Sequence, residues 1–544
     1  MMKTEYKPIV LFYPTGIVHM RNLEILRKSL PGFRFMVIVE PWLSETAMEA
    51  LNVIDKQDRV IIENNRLPAE VWKRGVRMLF LSMAYPNPFR LHLVYEAISR
   101  SIPIVSIEEV NQLALNDGII NHYFLPVDYL GVASDIEKEK FRELGIPGEN
   151  IMVTGWPFYE DKAARPRDTF NIRSQYKVRS ELQCCVLILG SLKELDMVSL
   201  ETRNVRREIL EIVSGGLAEN FQLFIKPHPI ETDESLYHIR KMLPNAHILD
   251  PRFPIEPLLE QADIVVNRGN SQVALLALKQ SKPIIVTPVG LKTIFHGVLD
   301  RVIADSPVQF RRILGEYSWG KHEDYREILS RHLPLAHGQS LQKVSQLFAT
   351  VLKDRASGMI DKKIYISILY AFLEDIEQAN AILDTISSRE STGLLKKLFN
   401  KTIALVDFIS LLDFFPGKMI RWHLQALFLR ALFSRKTKTN LSLAAPLLKG
   451  FDGDVNPHYF MDDLIKRIEL EYRVGNSETA NKLFEKFYTE YSIFDYYRQA
   501  FDMLDFTYRG KGNSRWIRKV IWFLKNFNKP FARRTLKRKL TRSV

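Results

Sequence analysis

The chain has 544 residues, 46% hydrophobic and 26% charged, which excludes disordered and fibrous classes and implies roughly two to four domains rather than one core. Its only cysteines are the adjacent pair Cys184 and Cys185, which excludes a disulfide framework and fits a reducing compartment. The net charge of +13 is concentrated: 13 of the 76 basic residues, and no acid, lie from Arg509 to Val544, leaving 63 basic against 63 acidic residues before them.

The N-terminal MMKTEYKPIVLFYPTG has a short apolar run broken by Pro14 and Gly16. It reads as a first strand, not a secretion signal. Residues 1–158 then alternate β-branched runs with helical patterns: PIVLFY (8–13), FRFMVIV (34–39 at its core), RVII (59–62), RMLFLS (77–82), IPIVSI (102–107), YLGVAS (129–134) and IMVTG (151–155). Strands spaced by helices predict βαβ units and a parallel sheet. The polar segment 159–183 predicts an interdomain linker.

The alternation resumes in residues 184–338, with CCVLILG (184–190), FQLFIK (221–226), AHILD (246–250), ADIVVN (262–267) and KPIIVT (282–287). The fold class expected is α/β, two consecutive Rossmann-like domains. Residues 339–508 change to paired amphipathic helices. The segments around Ala379 and Ala480 share a small-residue spacing that fits tetratricopeptide-like hairpins and equally fits generic helical-hairpin packing. No apolar run is long enough to span a bilayer; IALVDFISLLDFF (403–415) is interrupted by Asp407 and Asp413. Within 509–544, RWIRKVIWFLKNFNK (515–529) places Trp516, Val520, Phe523 and Phe527 on one helical face and Arg515, Arg518, Lys519 and Lys525 on the other. That is a basic amphipathic helix, followed by more positive charge. It fits an anionic membrane surface, or docking of its apolar face on the helical domain.

In open parallel sheets ligands bind beyond the carboxyl ends of the strands, where loop amides and helix N-termini converge. Four loops of the second domain belong on that rim: GSLK (190–193), KPHP (226–229), NRGNS (267–271) and TPVG (287–290). In NRGNS, Asn270 or Ser271 fits a helix N-cap, and with Arg268 and Gly269 the loop forms either an anion site or a simple cap. In KPHP the two prolines hold the chain extended. They fix His228 either toward the same phosphate or against a backbone carbonyl, and the rigid rim position favours the phosphate. Lys226 adds a point charge there or forms a surface pair. In the first domain, PTGIVH (14–19) brings Gly16 and His19 to the rim, and MAYPNP (83–88) follows another strand. SIEEVNQ (106–112) places Glu108, Glu109 and Asn111 just beyond a strand end. A carboxylate buried there serves as general base, or caps the next helix.

These features resemble the GT-B glycosyltransferase superfamily. VASDIEKEKFRELGIPGENIMVTGWPFYED (132–161) is similar to the end of its first domain, and EQADIVVNRGNSQVALLALKQSKPIIVTP (260–288) to its phosphate-binding strand, loop and helix. The resemblance covers residues 8 to about 335 and implies a nucleotide-sugar donor on the second domain and an acceptor at the first. KPHP resembles the "HP" motif of bacterial capsule and envelope transferases with cytidine-nucleotide donors: polysialyl-, Kdo- and CDP-glycerol-type. There the resemblance implies that His228 meets the donor phosphate and assists departure of the nucleotide. Val110 stands where those enzymes often carry glycine after an acidic pair, and Asn270 where a second Ser or Thr is common. The segments 104–134 and 265–278 also resemble the UDP-GlcNAc-dependent transferase that makes lipid II, which leaves the donor base open.

The resulting expectation is metal-independent transfer of a glycosyl or polyol-phosphate residue without a cofactor. Glu109 or Glu108 is the base. Gly190, Ser191, Lys226, Arg268, Gly269, Asn270 and Ser271 bind the donor with His228, and Gly16, His19 and Asn111 lie on the acceptor side. The acceptor expected is a polysaccharide or lipid-linked molecule. The expected location is cytoplasmic, peripheral at the inner face of the membrane, with room for a protein partner on the helical domain. A nucleotide-sugar 2-epimerase and a non-catalytic membrane-associated scaffold are the alternatives. Nucleic acid is not an expected partner, because the body is neutral and holds no recognised binding module.

Overall fold

The computed structural model describes residues 7–14, 23, 25–27, 29–39, 54–62, 66–81, 87–107, 125–157, 171–189, 200–228, 233–251, 253, 255–269, 271–289, 293–316, 325–335, 338–353, 359–386, 390–415, 417–433, 445–448 and 457–491. The segment 509–544 lies outside them. The first sheet contains β1 (Ile9–Tyr13), β2 (Arg34–Val39), β3 (Arg59–Ile61), β4 (Val76–Leu81), β5 (Ile104–Ile107), β6 (Tyr129–Val132) and β7 (Ile151–Val153). Its order is β3-β2-β1-β4-β5-β6-β7, and every pair is parallel. Helices α1 (Ala69–Lys73), α2 (Pro88–Ser99) and α3 (Asp135–Glu143) flank it.

The second sheet contains β8 (Gln183–Ile188), β9 (Phe221–Lys226), β10 (His247–Ile248), β11 (Ile264–Asn267) and β12 (Ile284–Val286), ordered β10-β9-β8-β11-β12 and again parallel. Its helices are α4 (Ile172–Gln175), α5 (Leu200–Gly216), α6 (Asp233–Met242), α7 (Ile255–Gln261), α8 (Gln272–Lys279), α9 (Pro307–Glu316) and α10 (Arg326–His332). The strands are apolar along almost their whole length because helices cover both faces of a parallel sheet. Val10, Leu11, Val186, Val265 and Val266 are all fully buried. The chain thus forms two Rossmann-like α/β domains followed by helices, the fold class its sequence implies.

Helix α3 starts by a reciprocal cap. Ser134 Oγ accepts from Glu137 N at 3.4 Å, and the buried Glu137 carboxylate reaches back to accept from Ala133 N at 3.0 Å. One amide of the first helical turn and the amide just before the cap are thereby satisfied.

The helices that follow are α11 (Gln339–Lys353), α12 (Met359–Phe372), α13 (Ile376–Asp384), α14 (Glu390–Phe399), α15 (Leu405–Phe414), α16 (Lys418–Leu432), α17 (Pro457–Arg473) and α18 (Ser477–Tyr491). Ala379 of α13 and Ala480 of α18 are fully buried in the hairpins α12–α13 and α17–α18. Helix α11 does not stand apart with them. Its Val344, Leu347, Phe348 and Val351 close one face of the first sheet. The Phe348 ring meets Phe80 edge-on at 5.5 Å, and Phe80 stacks on Phe12 at 5.0 Å.

Three further contacts hold the helices to the first domain. Helix α12 packs on α2, and their apolar residues share one core. Lys362 of α12 pairs with the buried Asp128, whose other oxygen accepts from Ile104 N at 2.8 Å. Gly145, at φ +101°, lies so close to the α16 entrance that a Cβ would sit 3.1 Å from Gly417 Cα. The second domain meets the first through α10 against α3. There burial, with Arg331 and Lys140 nearby, pushes His332 down to about 4, so its ring is neutral at pH 7. No helix among the described residues is long and apolar enough to cross a membrane.

Candidate functional site

The strand register places the second-domain loops on one line. Lys226 pairs with Ile188, Ile188 with Asn267, and Asn267 with Val286. The carboxyl ends of β9, β8, β11 and β12 therefore finish in a row. Connections run from β8 outward to β9 and β10 on one side, while β11 and β12 extend the other. The switch in direction falls between β8 and β11, the crevice where such sheets take ligands.

Beyond β11 the turn is built by Asn267, a buried side chain whose Oδ1 accepts from Gly269 N at 2.7 Å and from Ser271 Oγ at 3.1 Å. Ser271 is the N-cap of α8, its Oγ accepting from Ala274 N at 3.4 Å. Gly269 has φ +99°, and a Cβ there would lie 2.7 Å from both Thr293 Cγ2 and Val286 Cγ1. Only glycine fits, for backbone and packing reasons alike. Arg268 between them is half-buried, burial pushes its guanidinium pKa down, and its Nε is buried with no hydrogen-bond partner among the described residues. A guanidinium stays charged in proteins, and an unpaired buried donor costs about 1–3 kcal/mol. An anion seated at the positive end of α8 relieves that cost.

At β9 the lysine takes a different part from the one expected. Lys226 is 4% exposed, and its Nζ donates to Pro227 O at 2.7 Å and Pro251 O at 2.6 Å. A buried ammonium needs acceptors. Lys226 finds them in the backbone and ties the KPHP turn to the exit of β10. Pro227 is buried and His228 half-buried at the rim. Since β8 separates β9 from β11, the two loops leave the sheet about 10 Å apart at ordinary strand spacing. That separation suits the two ends of a diphosphate better than one phosphate held from both sides.

Among the expected site residues, Arg268, Gly269 and Ser271 come together, with Lys226 and His228 two strands away. Gly16, His19, Glu108, Glu109, Asn111, Gly190, Ser191 and Asn270 lie outside the described residues. The sequence reading missed Asn267, which builds the turn, and the Thr293–His296 pair that packs behind Gly269. His296 Nδ1 accepts from Thr293 N at 2.9 Å and lies 3.0 Å from Thr293 Oγ1. This bonding fixes the tautomer with the ring proton on Nε2. The signal available was TPVG: glycine and proline at a strand exit mark the whole following segment as part of the rim, His296 included.

Comparison with protein-family models and with curated proteins yields no match. Solved structures of similar fold include the UDP complex of MnaA from S. aureus, with TM-score 0.46 and 12% identity over 65% of this chain and 99% of that one. A UDP-N-acetylglucosamine 2-epimerase from Rickettsia bellii gives TM-score 0.45 and 12% identity over 64% of this chain and 98% of its own. A UDP-glucosyltransferase from Polygonum tinctorium gives 0.43 and 13%, over 65% and 100%. The likeness is one of fold.

Proposed function

We propose that the chain is a GT-B glycosyltransferase that moves a sugar or polyol-phosphate residue from a nucleotide-activated donor to a cell-envelope polysaccharide or lipid-linked acceptor. The observation that carries this reading is the buried Arg268 Nε, without a hydrogen-bond partner among the described residues, beside the Ser271-capped end of α8 at the point where the sheet order reverses. In this reading Arg268, the Gly269 backbone and the α8 amides hold the donor diphosphate, and His228 meets its far side. Negative charge grows on the departing nucleotide in the transition state, so fixed donors act most strongly there. Glu109 or Glu108 takes the proton of the acceptor hydroxyl. The "HP" resemblance supports a cytidine nucleotide as the donor.

Thermal-shift measurements with CMP, CDP, UDP and GDP test the donor site. A cytidine nucleotide at about 100 times its Kd should stabilise the protein by about 2.7 kcal/mol, and Arg268→Ala should abolish the shift. No shift with any nucleotide overturns the reading; a uridine-selective shift moves the donor to UDP-sugars. Consumption of a nucleotide-sugar with no acceptor present reassigns the chemistry to 2-epimerisation.

The segment 509–544 is proposed to hold the enzyme at an anionic membrane, each basic residue near the surface contributing on the order of 1 kcal/mol. Deleting residues 511–544 should release the protein from phosphatidylglycerol vesicles in flotation assays. Undiminished flotation assigns the membrane contact elsewhere or rejects it.

A further inference from the structure

A recess of about 180 Å³ lies on the first domain between α1 and α2, lined by Arg66, Trp72, Phe89, His92, Glu96 and Arg100. None of these residues belongs to the donor loops. His92, Glu96 and Arg100 follow one another at four-residue intervals along α2 and so form a single stripe. Trp72 faces them from α1, with the Arg100 guanidinium 5.2 Å from its ring centre. Phe89 and Leu93, both buried, supply an apolar floor.

The charges do not cancel. Arg100 pairs with Glu96. Burial pushes the His92 pKa down, so its ring is neutral at pH 7. Arg66 is exposed and has no carboxylate ion pair among the described residues. The recess therefore carries one net positive charge. Its volume, equal to about six waters at roughly 30 Å³ each, is below the roughly 300 Å³ at which pockets for nucleotide- or drug-sized ligands begin. A single sugar ring is of the right size. Apolar floor, indole and a row of planar polar groups match the two kinds of surface such a ring presents, its C–H faces and its hydroxyl edge.

Position matters as well. Helix α2 begins after β4 leaves the rim, since Leu81 at the end of β4 is level with Tyr13 at the end of β1. Phe89, in its first turn, lies at the end of α2 nearest that rim, its ring 5.5 Å from the Tyr13 ring. A chain of sugars running from the rim along α2 would enter the recess at Phe89.

We propose that this recess is a secondary subsite for one anionic sugar unit, a uronic acid or a similarly carboxylated pyranose, of the acceptor glycan. Arg66 takes the carboxylate, His92 and Glu96 the hydroxyls, and Trp72 with Phe89 the ring. The subsite's place in transfer rests on the proposed function; its occupancy does not.

Saturation-transfer NMR on the full chain with D-glucuronate, D-glucose and inorganic phosphate tests it. Glucuronate should give transfer to its ring protons at millimolar concentration, at least five-fold stronger than glucose. Arg66→Ala, a change at an exposed position, should cut that signal at least five-fold, and Trp72→Ala should remove it. Absence of glucuronate signal, equal signals for glucose and glucuronate, complete displacement by equimolar phosphate, or indifference to Arg66→Ala would each overturn the subsite. Arg268→Ala separates the two readings. A glucuronate signal that survives there while nucleotide binding is lost keeps both, whereas an Arg66-dependent glucuronate signal in a wild-type protein that no nucleotide stabilises keeps the subsite and removes the donor assignment.

Discussion

His228→Ala should lower kcat by about 10²–10³-fold, the usual effect of removing one preorganised transition-state donor, while the donor KM changes far less. The split follows from where the ring sits. Lys226 anchors the turn through Pro227 O and Pro251 O, and Pro227 is buried, so truncating the half-buried histidine leaves the backbone around it in place. Thermal unfolding of the variant should stay within about 1 kcal/mol of the wild type, the smaller end of single-substitution effects. Lys226→Met should do the reverse, because it strips two carbonyls of their donor in a buried turn. The measurement is steady-state kinetics beside a melting curve for both variants. Wild-type turnover in folded His228→Ala removes the histidine from the chemistry.

Asp128→Asn should destabilise the protein by about 3–5 kcal/mol at pH 7, the cost of breaking a buried pair by neutralising one partner. Burial pushes the Lys362 ammonium down to about 8, so it is still charged at pH 7, and the Asp128 carboxylate is its ion-pair partner. Asparagine preserves an acceptor for Ile104 N, so the loss isolates the charge. The sign with pH follows. Lys362 has its pKa lowered in the folded state, so above about pH 8 the folded protein releases its proton more readily than the unfolded chain. The variant's deficit should therefore shrink as pH rises toward 10. Asp128→Asn with Lys362→Met should recover most of the stability. Urea unfolding at pH 7 and 9.5 measures both effects; a deficit below 1 kcal/mol at pH 7 would mean that the pair holds nothing together.

All the strand positions were legible because parallel strands buried on both faces are continuous apolar words, FQLFIK and ADIVVN being the clearest. Where the words ran into flanking residues, the structure trims them. IPIVSI begins as a strand only at Ile104, and AHILD keeps only His247 and Ile248 at the sheet edge. The KPHP, NRGNS and TPVG exits were legible too, since parallel direction puts these carboxyl ends on one side. Two things were not. Periodicity shows that α11 has an apolar face but not what covers it, and its partner, the first sheet, ends at Val153, 186 residues before the helix begins. Lys226 looks like a phosphate ligand in the sequence because lysine at a strand exit usually faces outward, and only the packing of Pro227 and Pro251 around it makes it a fastener.

The closure of the first sheet by α11, and the packing of α12 on its helix α2, bear on how the chain can be divided. Residues up to 335 contain every proposed catalytic group and look like a self-contained two-domain enzyme. A fragment cut there would bare Phe12, Phe80 and Val105 to solvent and leave Asp128 without its lysine. The minimal active unit therefore extends at least through α12, and shuffling the helical region between related proteins must carry the α2 and β4 surfaces with it. What looks like an appendage is, in building terms, a wall of the first room.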